Sequence, residues 1–226
     1  MKAQVLAPLA NKTIRTQAAD LLRNSILEGS LPIGSRIVER HLAEQLGTSL
    51  TAVREALIQL ESEGLIVKKP NSTTHVVSLG PGDIEQIFSV REVFELHAFE
   101  LAAKLAQPSD IEHLETLRAS AVEAARHRQH REYIQRDLLW HDFIWRIPAN
   151  PYLHASIRRL VLPLFMYSAL QMSERQDFDL VKDNQSHDPL LEALRGGKVR
   201  EARRAFLGAL EQWRLETLSG ELKLGR

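Results

Sequence analysis

The sequence predicts a mainly α fold in two parts, and three observations carry that expectation. Apolar residues recur at helical spacing through most of the 226 residues. One short region after Gly64 breaks that period and turns extended, β-branched and turn-bounded. Gly80-Pro81-Gly82 then punctuates the chain, and everything beyond it reads as helix again. The expected division is therefore residues 1–79 and 80–226, the second part a bundle of about six helices.

Residues 1–11 look like a loose arm. A first helix is expected over about 13–28, with Ile14, Ala18, Leu21, Leu22 and Ile26 on one stripe and Gly29 ending it. Leu31-Pro32-Ile33-Gly34 is a turn. From about Glu39 the chain reads helix, tight turn, helix. Leu42, Ala43 and Leu46 form the inner face of the first member, and Gly47 suits the turn. Ser49 can cap the second member, whose inward stripe is Ala52, Val53, Ala56, Leu57 and Leu60. Leu50, Thr51 and Arg54 remain on the outward N-terminal side, where a recognition helix offers side chains to the major groove. The same pattern also fits an ordinary helical hairpin. The next stretch of chain tips the balance: Leu65 to Lys69 and Thr73 to Ser78 make a hairpin around Pro70-Asn71-Ser72, the wing of a winged helix-turn-helix. Lys68 and Lys69 near its tip suit phosphate.

In the second part Asp83 is read as the cap of a helix from Ile84 to about Leu105. Further helices are expected over about 108–129, 132–147, 150–172, 186–195 and 199–218, with 173–183 as loop. Pro163 is expected to kink the fourth, and Pro189 constrains the start of the fifth. The basic run Arg126 to Arg131, with His127 and His130, reads as a solvated helix end.

Composition bounds the chemistry. There is no cysteine, so disulfides, thiolate zinc sites and thiol nucleophiles are excluded. Formal net charge is zero, and residues 1–80 hold nine Lys/Arg against seven Asp/Glu. DNA binding would rest on where the bases sit, not on a large field. No apolar run approaches a membrane span, and no signal-peptide core is visible, so a cytoplasmic location is expected.

Asp137 and His141 stand four apart and share one helix face, beside Tyr133, Ile134, Ile144 and Trp145. Directed inward, both need a partner. A buried Asp–His hydrogen bond and a metal site are both open on spacing alone.

Several stretches match a known family. Leu31-Pro32-Ile33-Gly34-Ser35, Glu39-Arg40-His41-Leu42-Ala43-Glu44, Ser49 to Leu57 and Leu60-Glu61-Ser62-Glu63-Gly64-Leu65 resemble the winged helix-turn-helix of the GntR family of bacterial transcription regulators. Val90 to Glu95, Asp137 to His141, Asn150-Pro151-Tyr152-Leu153, and His187 with Leu190 to Leu194 resemble the all-helical FCD effector domain of its FadR subfamily.

The resemblance implies a homodimer on double-stranded operator DNA, a repressor released when a small organic acid fills the helical domain. It implies DNA contacts from Arg40, Ser49, Leu50, Thr51 and Arg54, and from Ser72 and Thr73 at the wing tip. Leu50 stands where the family often has Arg, and Ser72-Thr73 where it usually has Arg-Gly. Both changes remove donors and imply a different operator or weaker binding.

The resemblance also implies a divalent metal on Asp137, His141 and His187, a set suited to Zn²⁺, Ni²⁺ or Mn²⁺. The family's fourth ligand falls on Ala209, which cannot ligate. The site is then three-ligand and open, or metal-free. Arg91 either clamps an effector carboxylate beside these residues or closes a salt bridge. Two rivals remain: a metal-responsive regulator without organic effector, and a metal-dependent hydrolase. Against the latter, no general base stands at an obvious spacing beside the trio.

Overall fold

The computed structural model describes residues 13–69, 73–174 and 178–224. The expected arm and the wing-tip residues Pro70, Asn71 and Ser72 lie outside them.

Thr13 caps α1 (Ile14–Leu27), its hydroxyl accepting from the Thr16 N–H. α2 (Glu39–Gln45) and α3 (Leu50–Ser62) form the helix-turn-helix. Gly47, at φ +58°, makes the turn, and Ser49 Oγ accepts from Ala52 N–H at 3.1 Å. Gly64 closes α3 at φ +78°, with the Leu65 N–H returning to the Leu60 carbonyl. Arg23 bridges α1 to the end of α3 by gripping both Glu63 oxygens at 2.7 Å.

The wing is β2 (Ile66–Lys69) and β3 (Thr73–Val76), antiparallel, with Lys69 opposite Thr73. A two-residue strand, β1 (Arg36–Ile37), adds to the other edge of β3 and gives the order β1-β3-β2. On sequence alone Ile37 is only a lead-in to the helix-turn-helix. Two residues carry no period, and their pairing is set by a partner nearly 40 positions away.

α4 (Pro81–Leu105) starts three residues before its expected start. Gly80 is the cap and Pro81 holds the first helical position, where its missing N–H costs nothing. Asp83 is therefore not the cap: it sits one turn in, and its carboxylate accepts from Gly80 N–H at 2.9 Å. The glycine-proline-glycine stretch is thus the first turn of a helix. α5 (Pro108–Arg126), α6 (His130–Arg146) and α7 (Pro151–Glu174) follow, and α7 stays helical through Pro163. The expected 173–183 loop instead contains α8 (Leu180–Gln185), capped by Asp179. α9 (Asp188–Gly196) and α10 (Val199–Leu224) complete the bundle.

The two parts share a core. Leu22, Ile26, Leu57 and Leu60 belong to one buried cluster with Leu138, Phe165 and Met166 of α6 and α7. Gln135 on α6 also donates to Glu28 at 3.2 Å. A second cluster, including Ile84, Phe88, Trp140, Leu190 and Phe206, lies between α4, α6, α9 and α10.

Candidate nucleic-acid interface and metal centre

On the first part, the outward side of α3 carries exposed Ser49, Thr51 and Arg54, with Leu50 half-buried at its first turn. Arg40 is exposed on α2. Arg54 Nε donates to Glu39 at 2.7 Å, so α2 steers it. Thr73 begins β3 and is half-buried; Ser72 is outside the described residues. Lys68 pairs with Glu61 at 3.2 Å.

In the second part, the fold brings Asp137, His141 and His187 together. α6 presents the first two from adjacent turns, and His187 precedes the first turn of α9. All three are buried, and one ligand atom from each lies within 4.8 Å of the others. His141 Nε2 is 3.1 Å from His187 Nε2, and His187 Nε2 is 3.2 Å from Asp137 Oδ1. His141 Nε2 stands 3.9 Å from Asp137 Oδ2. Ligands held at about 2.1 Å from a four-coordinate ion stand about 3.4 Å apart, so these spacings fit one cation.

Electrostatics point the same way. Burial holds both imidazoles below their ordinary range, His141 strongly, so both are neutral and able to ligate. Burial also lifts Asp137 to about 7. A carboxylate so deprived of water gains most from a cation.

The trio opens into a pocket also lined by Phe88, Arg91, Phe165, Asp183, Trp213 and Glu216. Arg91 is buried. Its Nε donates to Glu95 at 2.6 Å, while its guanidinium lies 5.0 Å from the Phe88 ring centre and 5.9 Å from that of Trp213. The salt bridge is thus present, and Arg91 still lines the pocket.

Asp183, Glu216 and Trp213 are among the pocket residues that the sequence does not single out. Asp183 accepts from Tyr133 OH and is raised to about 7, by burial first and Asp137 second. It stands four residues before His187, a spacing hidden by the expectation of a loop. The sequence shows no general base at an obvious spacing beside the trio, and the fold adds two carboxylates, Asp183 and Glu216, to the lining of the same pocket. Ala209 is buried on α10. One turn on, the Trp213 ring centre stands 5.2 Å from that of His141 and 5.7 Å from that of His187. His127 is exposed as expected, but His130 is half-buried at the start of α6.

In comparison with known proteins, residues 14–76 match the family described as "Bacterial regulatory proteins, gntR family", and residues 86–212 match the FCD domain. The chain is 28% identical over 201 residues to a "Probable D-xylose utilization operon transcriptional repressor" of Paenarthrobacter nicotinovorans, covering 88% of this chain and 86% of that protein. It is 27% identical over 170 residues to the HTH-type transcriptional regulator McbR of Escherichia coli (strain K12), covering 73% and 77%. The solved structure of E. coli McbR/YncC superposes with a TM-score of 0.82 at 24% identity, covering 94% of this chain and all of that one.

Proposed function

The chain belongs to the GntR family of bacterial regulators with an FCD domain, and from that premise we propose that it is a repressor whose grip on operator DNA is set by an organic acid and a divalent metal in the helical domain. It is a DNA-binding transcription regulator built as a winged helix-turn-helix on an effector-binding bundle. Among the described residues no helix is long and apolar enough to cross a membrane. Residues 1–79 are read as the DNA-binding domain and 80–226 as the effector and dimerisation domain.

One observation carries the regulatory reading: α7 serves both parts. Its Leu164, Phe165 and Ser168 line the pocket, while Met166 and Ala169 line a cavity with Ile26 and Leu27 of α1. A ligand that shifts α7 shifts the seat of the recognition helix. It weakens DNA binding by favouring a dimer arrangement in which the two helices no longer match their half-sites.

Asp137, His141 and His187 would hold Zn²⁺, Ni²⁺ or Mn²⁺, which supplies a Lewis-acid position for an effector carboxylate. Arg91 turns its remaining donors to the same acid. Asp183 and Glu216 accept hydrogen bonds, so a hydroxy or amino acid fits better than a plain one. The enzyme reading is set aside because a DNA-binding half would have no role in it.

The test is to select DNA from a random pool with the purified protein, then titrate the selected duplex with and without Zn²⁺ and a panel of hydroxy acids. The reading expects one enriched, two-fold symmetric site released by a panel member only when Zn²⁺ is present. Release by Zn²⁺ alone would favour the metal-responsive alternative. No enrichment would overturn the proposal.

A further inference from the structure

A third, much smaller cavity lies behind His141. It is lined by Glu95, Trp140 and His141 among apolar neighbours that include Phe99, Ile144 and Leu190. It offers about 10 Å³ to the centre of a water molecule, about the room one water needs. Glu95 Oε1 and Trp140 Nε1 are both fully buried with no hydrogen-bond partner among the described residues. One is an acceptor and the other a donor, so a water between them satisfies both.

Tautomers give this cavity a role. His187 Nδ1 lies 3.0 Å from the Asn184 carbonyl, which can only accept. His187 therefore carries its proton on Nδ1 and leaves Nε2 bare. The two Nε2 atoms are 3.1 Å apart and Asp137 Oδ1 lies 3.2 Å from that of His187, so with Asp137 ionised it is His141 that donates from Nε2 in the metal-free protein. To serve as a ligand through Nε2, His141 must carry its proton on Nδ1 instead, with no change of charge. Among the described residues no hydrogen bond reaches that nitrogen.

We infer that one water enclosed by Glu95, Trp140 and His141 is a built part of the site, and that Glu95 acts through it to position His141 as a ligand. The water accepts from Trp140 Nε1–H and from His141 Nδ1–H, and donates to Glu95 Oε1. The other oxygen of Glu95 holds Arg91, so one carboxylate orients both the imidazole and the guanidinium of the pocket. Outer partners of this kind fix the ring and raise ligand basicity. The inference rests on the metal reading given above.

Calorimetric titration with Zn²⁺ of the wild type, Glu95→Gln and Trp140→Phe tests it, alongside ¹⁵N histidine spectra and a crystal structure at high resolution. Glu95→Gln keeps the shape of the side chain, and Trp140→Phe leaves the Arg91–Glu95 pair untouched should the first variant fold poorly. The expected result is a loss of about 10- to 100-fold in affinity in each variant. In the wild type the His141 proton moves from Nε2 to Nδ1 on Zn²⁺ addition, and the crystal shows one water between Glu95 and Trp140. Wild-type affinity in both variants, or no water there, overturns the inference and leaves the metal reading standing. No Zn²⁺ uptake by the wild type overturns the metal reading and the role of Glu95 with it.

Discussion

Gly64 meets the backbone of Arg159: a Cβ at Gly64 would stand 2.6 Å from the Arg159 carbonyl oxygen. That carbonyl lies four residues before Pro163, which has no N–H to return to it. That carbonyl therefore lacks the usual donor four residues on, and the DNA-binding half sets a residue without a side chain against it.

Gly64→Ala should cost more than the left-handed backbone alone. Gly29 is the control, because it has a similar φ of +76° and nothing within 4 Å of its Cβ position. Gly29→Ala is expected to cost about 1 kcal/mol, a few degrees in Tm for a chain of this size. Gly64→Ala should lower Tm further and also change operator affinity. Equal shifts in the two variants would mean that the two parts do not bear on each other there.

Arg54 is expected to be taken over by DNA. Its pair with Glu39 is exposed and worth under about 1 kcal/mol, so a phosphate or a guanine edge competes easily. Arg54→Ala should weaken operator binding about 10-fold or more and flatten its salt dependence. Glu39→Gln should leave binding equal or tighter. Fluorescence anisotropy across salt concentrations reads both.

Leu50→Arg should add a guanine preference. Leu50 begins α3 on its outward side and cannot hydrogen-bond a base. A forked Arg there is worth about 1–3 kcal/mol of discrimination at one base pair. Selection from a random pool should show one position per half-site moving to G, and an unchanged motif would place Leu50 away from the bases.

Metal stabilisation should grow with pH. Asp137 and Asp183, both raised to about 7, keep protons in the folded protein that the unfolded chain has lost above its ordinary carboxylate range. The metal-free fold therefore loses stability as pH rises through about 7. The lowered histidines act oppositely, but only below their unfolded value near 6.5. A ligating Asp137 must be ionised, so Zn²⁺ binds more tightly above pH 7 than below it. The gap in Tm between Zn²⁺-loaded and metal-free protein should widen from pH 6 to 8. His141→Ala should abolish the gap.

The DNA-binding half was legible almost to the residue because its signals are local. Ser49 reads as a cap, and Gly64 ends a helix whose stripe is plain. β1 was not legible, since two residues acquire strand geometry only from β3. α8 was missed because six largely polar residues show no apolar period, and Asp183 vanished with it. Asp137, His141 and His187 were found by spacing and resemblance. Glu95 and Trp213 were not, because their importance depends on which helices face each other across the bundle. Asp83 was read one turn out, because glycine and proline can begin a helix as well as separate two.

The sharing of α7 has an evolutionary consequence. A lineage that reshapes Leu164, Phe165 or Ser168 to fit a new effector also disturbs the helix against which Gly64, Ile26 and Leu27 are seated. On the regulatory reading proposed above, what the protein senses and how firmly it holds its operator are pleiotropic traits, and one does not drift without dragging the other. New sensors on this scaffold should therefore arise in pairs of changes, one in the pocket and a compensating one on α1 or the Gly64 turn.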